Sequence, residues 1–246
     1  ICKNKGYHFI EFNAMNGTSE SERYRRNLLV DGFSDTQQQR LADSRVTVVG
    51  AGGLGSAVLS YLVATGIGFI RIIENDSVSL SNLQRQILYT TGDIGKAKAT
   101  AAATRLSKIN PLCRIETVSD RLDAGNAETL LSQSHIVVDC TDNYTVRYVI
   151  DDYCSARQIP MVYGSAEQIC GQVSVFNTGR AGRYRELYPT APAPKSEVGV
   201  LPPMVGIVGS FQALETIKLL TGIGTGLDGR LLSIDGRTLQ VTLFEI

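Results

Sequence analysis

Residues 45–55 read RVTVVGAGGLG, an apolar, β-branched run that leads directly into a glycine-rich turn. Residues 56–64 then carry apolar side chains at helical spacing, and residues 69–73 form a second β-branched run that ends at Glu74. A strand, a Gly-x-Gly-x-x-Gly turn, a helix and a second strand within about 30 residues are typical of the mononucleotide-binding half of a doubly wound sheet. This stretch therefore predicts an α/β fold.

The turn itself suits a phosphate group. Gly50, Gly52 and Gly53 allow a tight turn and a close approach of the backbone to a ligand, and the following helix offers unpaired N–H groups and the positive end of its dipole. Glu74, at the end of the second strand, lies where an acidic side chain can accept hydrogen bonds from the ribose hydroxyls of an adenine nucleotide. We predict a nucleotide site at this edge of the sheet.

Helix and strand patterns continue to alternate toward the C-terminus. Helices are predicted at residues 35–42, 96–109, 124–132, 143–156 and 206–220, and strands at 114–118, 136–139, 160–163, 171–176 and within 231–244. The last two strand regions have an antiparallel pattern, with a turn at Asp235 and Gly236. The predicted fold class is a doubly wound, Rossmann-like, mostly parallel sheet with antiparallel C-terminal strands. Residues 1–22 are polar and mixed, and we expect a poorly ordered arm or a stray strand there.

The composition excludes several classes of protein. The 246 residues include 24 Lys and Arg and 24 Asp and Glu, so the formal net charge is zero, which argues against bulk nucleic-acid binding and a membrane-surface role. No window reaches the roughly 18 apolar residues of a spanning helix. The five cysteines are scattered without a CxxC pair, so we expect buried, reduced thiols in a cytoplasmic protein, with no disulfide framework.

Two polar stretches argue against a dehydrogenase. Residues 81–86 follow the second strand, and Lys98 lies at the start of the next predicted helix. Arg85 and Lys98 supply fixed positive charge, which suits a triphosphate and its leaving pyrophosphate. Asp142 follows the strand at 136–139, and a carboxylate among phosphate-binding cations suits Mg²⁺. Capping of the next helix is the alternative role for Asp142; Lys96 is interpreted as a surface residue.

Together these motifs resemble those of the ubiquitin-activating-like adenylyltransferases, the ThiF/MoeB/HesA family, and ThiF most of all. The resemblance depends chiefly on SLSNLQRQ at residues 79–86 and CTDN at residues 140–143. Arg23-Tyr24-x-Arg26, Gly95-x-x-Lys98 and the QALETIK stretch at residues 212–218 are further matches. It covers about residues 20 to 246, and it implies one adenylation domain over 23–246, with an ATP-binding half at about 45–165 and a carrier-binding half at about 166–246.

The resemblance implies a specific activity. The enzyme would use ATP to adenylate the C-terminal Gly-Gly carboxylate of a ubiquitin-like sulfur-carrier protein, ThiS-like rather than MoaD-like, releasing pyrophosphate before a sulfur-donor protein acts. The implied catalytic residues are Arg26, Arg85, Lys98 and Asp142, and the implied nucleotide-binding residues are Gly50, Gly52, Gly53, Glu74, Asp76, Asn82, Gln86 and Asn143. Asp142 would hold Mg²⁺, and Arg26 would reach the ATP site of a neighbouring subunit, which implies a homodimer.

The sequence departs from the family pattern in two places. Relatives often carry two CxxC pairs that bind zinc, but this chain has RYRE at residues 183–186 and no second pair, so no zinc site is expected and packing must hold that region. The family's loop cysteine is also missing, because residues 195–198 read KSEV. We therefore expect no covalent relay through that loop. Cys140 and Cys170 are the thiols nearest the expected active edge, and Cys140 is expected to be inert.

Two alternative functions remain open. The missing cysteines also fit adenylation of a ribosomal peptide during natural-product maturation, since that reaction needs no sulfur chemistry. The chain could instead be a non-catalytic partner subunit of a related enzyme. Arg26, Arg85, Lys98 and Asp142 are all present together, which argues against the partner subunit.

Overall fold

Five parallel strands form the centre of the sheet in the computed structural model, which describes residues 8–9, 17–191 and 198–246. The strands are β1 (His8–Phe9), β2 (Arg45–Val49), β3 (Phe69–Ile73), β4 (Arg114–Val118), β5 (Ile136–Asp139), β6 (Met161–Glu167), β7 (Cys170–Phe176), β8 (Arg230–Asp235) and β9 (Gln240–Glu245). Their order is β1-β4-β3-β2-β5-β6-β7-β8-β9. The pairs from β4 to β6 are parallel, whereas β1 and β7 to β9 pair antiparallel.

Helices cover both faces of this sheet. They are α1 (Gly17–Leu28), α2 (Asp35–Ala42), α3 (Gly53–Thr65), α4 (Lys98–Ile109), α5 (Ala127–Leu130), α6 (Tyr144–Arg157), α7 (Tyr184–Leu187) and α8 (Pro202–Thr221). One apolar core includes Leu41, Leu62, Leu106 and Val208, from α2, α3, α4 and α8. The other includes side chains from α5, α6 and α7. Two separate cores, one on each face, confirm the predicted doubly wound α/β fold.

The order of the strands reverses at β2. The chain runs outward from β2 to β3 and β4, then returns to β5 on the other side of β2. Val49, the last residue of β2, pairs with Ile73 at the end of β3 and with Asp139 at the end of β5. The carboxyl ends of these strands therefore meet beside a topological switch point, which is where ligands bind in open α/β sheets.

Several predicted boundaries differ from the structure. The helix predicted at 124–132 is only α5, because the Asp123 carboxylate accepts the N–H groups of Gly125 and Asn126 and holds that backbone in a turn. The helix predicted to start at residue 206 starts four residues earlier, where Pro202 and Pro203 are well suited to a first turn. The strand predicted at 160–163 extends to Glu167, because β6 pairs along its whole length with β7.

The predicted N-terminal arm falls mostly outside the described residues, which exclude 1–7 and 10–16. Within it, His8 and Phe9 pair with β4, and α1 begins at Gly17, so the predicted boundary at 22/23 lies inside a helix. Residues 192–197, in the stretch between α7 and α8, are also outside the described residues. No helix within the described ranges is both long and apolar enough to cross a membrane.

Candidate active site at the switch point

The glycine turn between β2 and α3 is closely packed against its surroundings. Gly50 has φ +94°, and a Cβ there would lie 2.7 Å from the Cys140 carbonyl oxygen. A Cβ on Gly55 would overlap the Gly50 carbonyl oxygen. Both positions therefore require glycine. The N-cap of α3 is Gly52, which has no side chain to cap the helix, so the first N–H groups of α3 face the carboxyl edge.

The Ala51 peptide group is held from both sides. Its N–H donates to Glu74 Oε2 over 2.9 Å, and its carbonyl oxygen accepts the Tyr89 hydroxyl proton over 2.8 Å. The other Glu74 oxygen, Oε1, accepts the Asp76 N–H over 2.9 Å. These bonds fix the Glu74 carboxylate beside the turn. Because each carboxylate oxygen can accept two hydrogen bonds, it retains the capacity to accept ribose hydroxyls as well.

Lys98 lies beside this carboxylate network with its charge directed toward Asp76. Its Nζ is 3.0 Å from Asp76 Oδ2, and its backbone N–H donates to the Asp76 carbonyl oxygen over 2.9 Å. The Lys98 side chain is 5% exposed, whereas that of Asp76 is 65% exposed. Lys96, two residues earlier, is exposed and pairs with Asp93 instead. Lys98 is therefore buried, whereas Lys96 is a surface residue, as the sequence predicted for Lys96.

Residues 79–86 contain a short 3₁₀ helix, Leu80–Asn82, and border the glycine turn. Asn82 accepts the Ser79 N–H through Oδ1 over 3.3 Å, and Arg85 donates to the Ser81 carbonyl oxygen over 3.2 Å. The Gln86 amide faces Gly52, and its Nε2 lies 3.4 Å from the position that a Cβ on Gly52 would take.

Gln86 Oε1 is buried and has no hydrogen-bond partner among the described residues. A buried amide oxygen without a donor costs about 1–3 kcal/mol. The oxygen lies next to a phosphate-suited turn and a ribose-suited carboxylate. A nucleotide carries donor groups on its base and ribose, so the residues present fit this ligand.

The loop after β5 is held by a buried ion pair that the sequence analysis missed. Asp139 is completely buried, and Arg147 Nε donates to its Oδ2 over 2.6 Å. Asp139 Oδ1 accepts the Thr141 N–H over 3.0 Å, and Arg147 Nη2 donates to the Thr141 carbonyl oxygen over 2.8 Å. Burial alone lowers the pKa of the Arg147 guanidinium, but the Asp139 carboxylate beside it raises that pKa overall.

This ion pair leaves Asp142 exposed at the carboxyl edge. Asn143 Oδ1 accepts the Val146 N–H over 3.2 Å, so the cap of α6 is Asn143 and the alternative capping role of Asp142 is wrong. No group of three or more His, Cys, Asp or Glu within the described ranges could hold a metal. Mg²⁺ commonly takes one or two carboxylates together with phosphate oxygens, so a single exposed Asp142 fits Mg²⁺ that arrives with a nucleotide.

A sequence signal for Arg147 did exist. Arg147, Ile150 and Cys154 share one face of α6 at spacings of three and four, and all three are buried. An arginine on a buried helix face needs a carboxylate partner. Asp139 ends the apolar strand that precedes this helix, and it is the carboxylate that the structure pairs with Arg147. Tyr89, by contrast, carried no comparable signal, because its hydroxyl partner is a backbone carbonyl.

Arg26 does not join the other predicted site residues. It is exposed on α1, which packs at the C-terminal end of α3: Asn27 Nδ2 donates to the Thr65 carbonyl oxygen over 3.2 Å. Nearby, Asn110 Nδ2 donates to the Tyr24 hydroxyl over 2.8 Å. The 13 residues of α3 span about 20 Å. The glycine turn lies at the other end of that helix, so Arg26 is far from the site in its own chain.

The sequence matches the ThiF family over residues 24–246. The chain belongs to the ThiF family. A sulfur carrier protein adenylyltransferase from Thermus thermophilus is 42% identical over 88% of this chain and 83% of the relative. The molybdopterin-synthase adenylyltransferase of Escherichia coli is 39% identical over 90% of both chains. Other relatives are longer: this chain spans 49% of the adenylyltransferase and sulfurtransferase MOCS3 from Drosophila willistoni, at 41% identity.

Solved structures share this fold. PaaA superposes with a TM-score of 0.82 at 25% identity, covering 96% of this chain and 76% of that protein. Escherichia coli MccB, crystallised with ATP, has a TM-score of 0.82 at 21% identity, covering 94% of this chain and 72% of MccB. The likeness to MccB, at that identity, concerns the fold alone.

Proposed function

We propose that this ThiF-family chain is an adenylyltransferase that activates the C-terminal carboxylate of a small carrier protein. The observation that carries the proposal is the meeting of three elements at the switch point. These are the glycine turn, the buried Lys98 held by Asp76, and the loop that presents Asp142. The Thermus and Escherichia relatives are named for adenylation in sulfur-carrier and molybdopterin-synthase chemistry, which supports the same reaction here.

The chemistry needs alignment and charge neutralisation. A C-terminal carboxylate is ionised at neutral pH, so no general base is required. One of its oxygens forms a bond to the α-phosphorus of ATP, while the bond from that phosphorus to the bridging oxygen breaks and releases pyrophosphate. Lys98 and Arg85 supply positive charge, and Gln86 and Glu74 orient the nucleoside. Mg²⁺, held by Asp142, would neutralise further phosphate charge.

The carrier is proposed to be ThiS-like, with a MoaD-like protein as the second choice. Its tail would enter between β7 and the loop that follows α7. Gln172 of β7 accepts hydrogen bonds through Oε1 from the Tyr163 and Tyr188 hydroxyls, over 3.2 and 2.9 Å. These bonds tie the start of the loop to the strand, which gives the entrance one fixed wall. A sulfur-donor protein would then react with the acyl-adenylate. We propose that both steps take place in the cytoplasm.

The active unit is proposed to be a homodimer. An exposed apolar face, the α3–α8 face, is formed by Tyr61, Ile87, Ile207, Phe211 and Leu214 and lies along both helices. Monomeric proteins rarely leave large contiguous apolar patches exposed. Since α1 lies at the far end of α3, a second copy docked antiparallel on this face would bring its Arg26 toward the glycine turn of the first.

The test is ATP–pyrophosphate exchange by the purified protein, alone and with ThiS-like and MoaD-like carriers. The control carriers lack the final glycine or carry an amidated C-terminus. Exchange that requires one carrier with an intact C-terminal carboxylate supports the proposal and identifies the pathway. If no carrier elicits exchange, the proposal is wrong, and a ribosomal peptide substrate or a partner-subunit role replaces it.

A further inference from the structure

Asp151 is a fully buried carboxylate that ties the short helix α7 to α6. Its Oδ1 accepts the Tyr184 N–H over 2.9 Å and the Asn177 side-chain amide over 3.1 Å. Its Oδ2 accepts Arg183 Nη2 over 3.2 Å and the Arg185 N–H over 3.3 Å. Four donors compensate the buried charge. The helix is therefore fastened at its first turn, although it is only four residues long.

Salt bridges hold the outer side of the same helix. Asp152 pairs with Arg183 and with Arg185, the latter over 2.8 Å. The Arg185 guanidinium also lies 4.2 Å from the centre of the Tyr148 ring. Ion pairs and ring contacts with α6 thus hold residues 183–186 (RYRE) in place.

Tyr184 extends from α7 into an aromatic cluster, defined as Tyr148, Tyr163, Phe176, Tyr184 and Tyr188. Its side chain is 1% exposed, and its ring centre lies between 4.9 and 5.7 Å from those of the other four. Burial raises the pKa of the Tyr184 hydroxyl to about 12. This side chain is therefore neutral and rigidly packed at physiological pH.

The cluster contacts the arginine that fixes the Asp142 loop. The Arg147 guanidinium lies 4.8 Å from the centre of the Tyr163 ring and 5.6 Å from that of Tyr184. The same guanidinium donates to the Thr141 carbonyl oxygen, next to Asp142. A continuous series of contacts therefore runs from α7 through two tyrosine rings and Arg147 to the loop. Removing the Tyr184 ring would leave a cavity beside the guanidinium and remove one of the contacts that fix its rotamer.

We propose that Tyr184 is a positioning residue for the candidate active site. Through Arg147 it holds the backbone of residues 141–143 so that the Asp142 carboxylate faces the switch point. The inference rests on the proposed function, because the proposed function assigns Mg²⁺ binding to Asp142. The inference gives α7 a role in the reaction, in addition to its packing in the second core. Partners that orient a metal ligand typically change metal affinity by about 10- to 100-fold when they are lost.

The test compares Tyr184→Leu with Tyr184→Phe and with the control Tyr153→Leu. Tyr153 lies on α6 and has its ring 6.0 Å from an arginine, Arg157, but it lies away from the loop. Hydrogen–deuterium exchange of residues 141–143 is measured in each variant without carrier. Tyr184→Leu is expected to speed this exchange, whereas Tyr153→Leu is expected to leave it unchanged. Tyr184→Phe keeps the ring but removes the hydroxyl that bonds to the Arg147 side chain, so a smaller increase is expected.

A second readout is the Mg²⁺ concentration that gives half-maximal ATP–pyrophosphate exchange. Tyr184→Leu should raise it by about tenfold or more. If Tyr184→Leu lowers the melting temperature but leaves amide exchange at 141–143 as in the wild type, Tyr184 is merely structural and the inference is overturned. Amide exchange does not depend on catalysis. An inactive wild type would therefore contradict the proposed function, while amide exchange would still test whether Tyr184 holds the backbone of residues 141–143.

Arg183→Ala provides a variant that leaves the aromatic cluster filled, in case Tyr184→Leu does not fold. It removes the side-chain contacts to Asp151 and Asp152 from the outside of α7. Arg157→Ala is its matched control, because Arg157 also forms a surface pair, with Glu128. Faster amide exchange at 141–143 in Arg183→Ala alone supports the inference. Equal exchange in both variants would overturn it.

Discussion

Lys98 and Asp76 form an ion pair in which the ammonium is buried and the carboxylate is exposed, with 3.0 Å between Nζ and Oδ2. Burying an ammonium is costly unless it is paired, and Asp76 supplies that partner. Lys98 is also the first residue of α4, so its backbone is fixed as well. A charge held in place in advance is the kind of group that stabilises a leaving pyrophosphate without reorganisation.

Lys98→Ala is expected to lower kcat/KM for adenylation by about 100- to 1000-fold, the effect typical of losing one preorganised charge or donor at a transition state. Lys96→Ala is the matched control, because Lys96 is exposed and pairs with Asp93 on the surface. It should retain wild-type activity. Steady-state kinetics of carrier-dependent pyrophosphate release measures both, and equal activity of the two variants would contradict the role of Lys98.

Asp142→Ala should lower adenylation by orders of magnitude while the melting temperature stays near that of the wild type. The side chain is exposed and Asn143 caps the helix, so little stability is lost. The control is Asp120→Ala, an exposed carboxylate that follows β4, which lies three strands away from β5 in the sheet. Activity measured across a Mg²⁺ titration tests the assignment. Near-normal activity of Asp142→Ala at low Mg²⁺ would refute it.

Arg26→Ala and Lys98→Ala should each be nearly inactive alone, yet regain activity when the two variants are mixed and reassembled. A mixed dimer has one site with Lys98 from one chain and Arg26 from the other, so random mixing restores about a quarter of the sites. The control chain carries both substitutions and should restore nothing with either single variant. Absence of complementation would argue against an arginine supplied in trans.

The four cysteines in the described ranges should differ in reactivity. Burial raises the pKa of the Cys113 thiol to about 12, and burial raises those of Cys140 and Cys154 as well. Because the thiolate is the reactive form, these three should resist iodoacetamide at pH 8 until the protein unfolds. Cys170 is partly exposed and should react in the native protein. Peptide mapping of native and unfolded samples checks this, with Cys170→Ser as the control. Labelling of native Cys140 would contradict it.

The position of the candidate site could be predicted from the sequence because its signals are local. A β-branched run before the glycine turn specifies a strand that leads into a helix. Polar residues that directly follow the apolar strands β3 and β5 must then lie at one edge of a parallel sheet. Glu74 and Asp142 could be placed in this way, without knowledge of any long-range contact. The resemblance in residues 79–86 and 140–143 added the chemistry.

What the sequence did not determine depends on partners that are distant along the chain. Arg147 meets Asp139 only because α6 packs back onto β5, and Tyr184 meets Arg147 only after the chain has passed through β6 and β7. The position of Arg26, at the far end of α3 from the glycine turn, is likewise set by how α1 packs. Local propensity cannot specify these arrangements, because their energy comes from burying charges and rings against one another. Only the tertiary structure brings those groups out of water together.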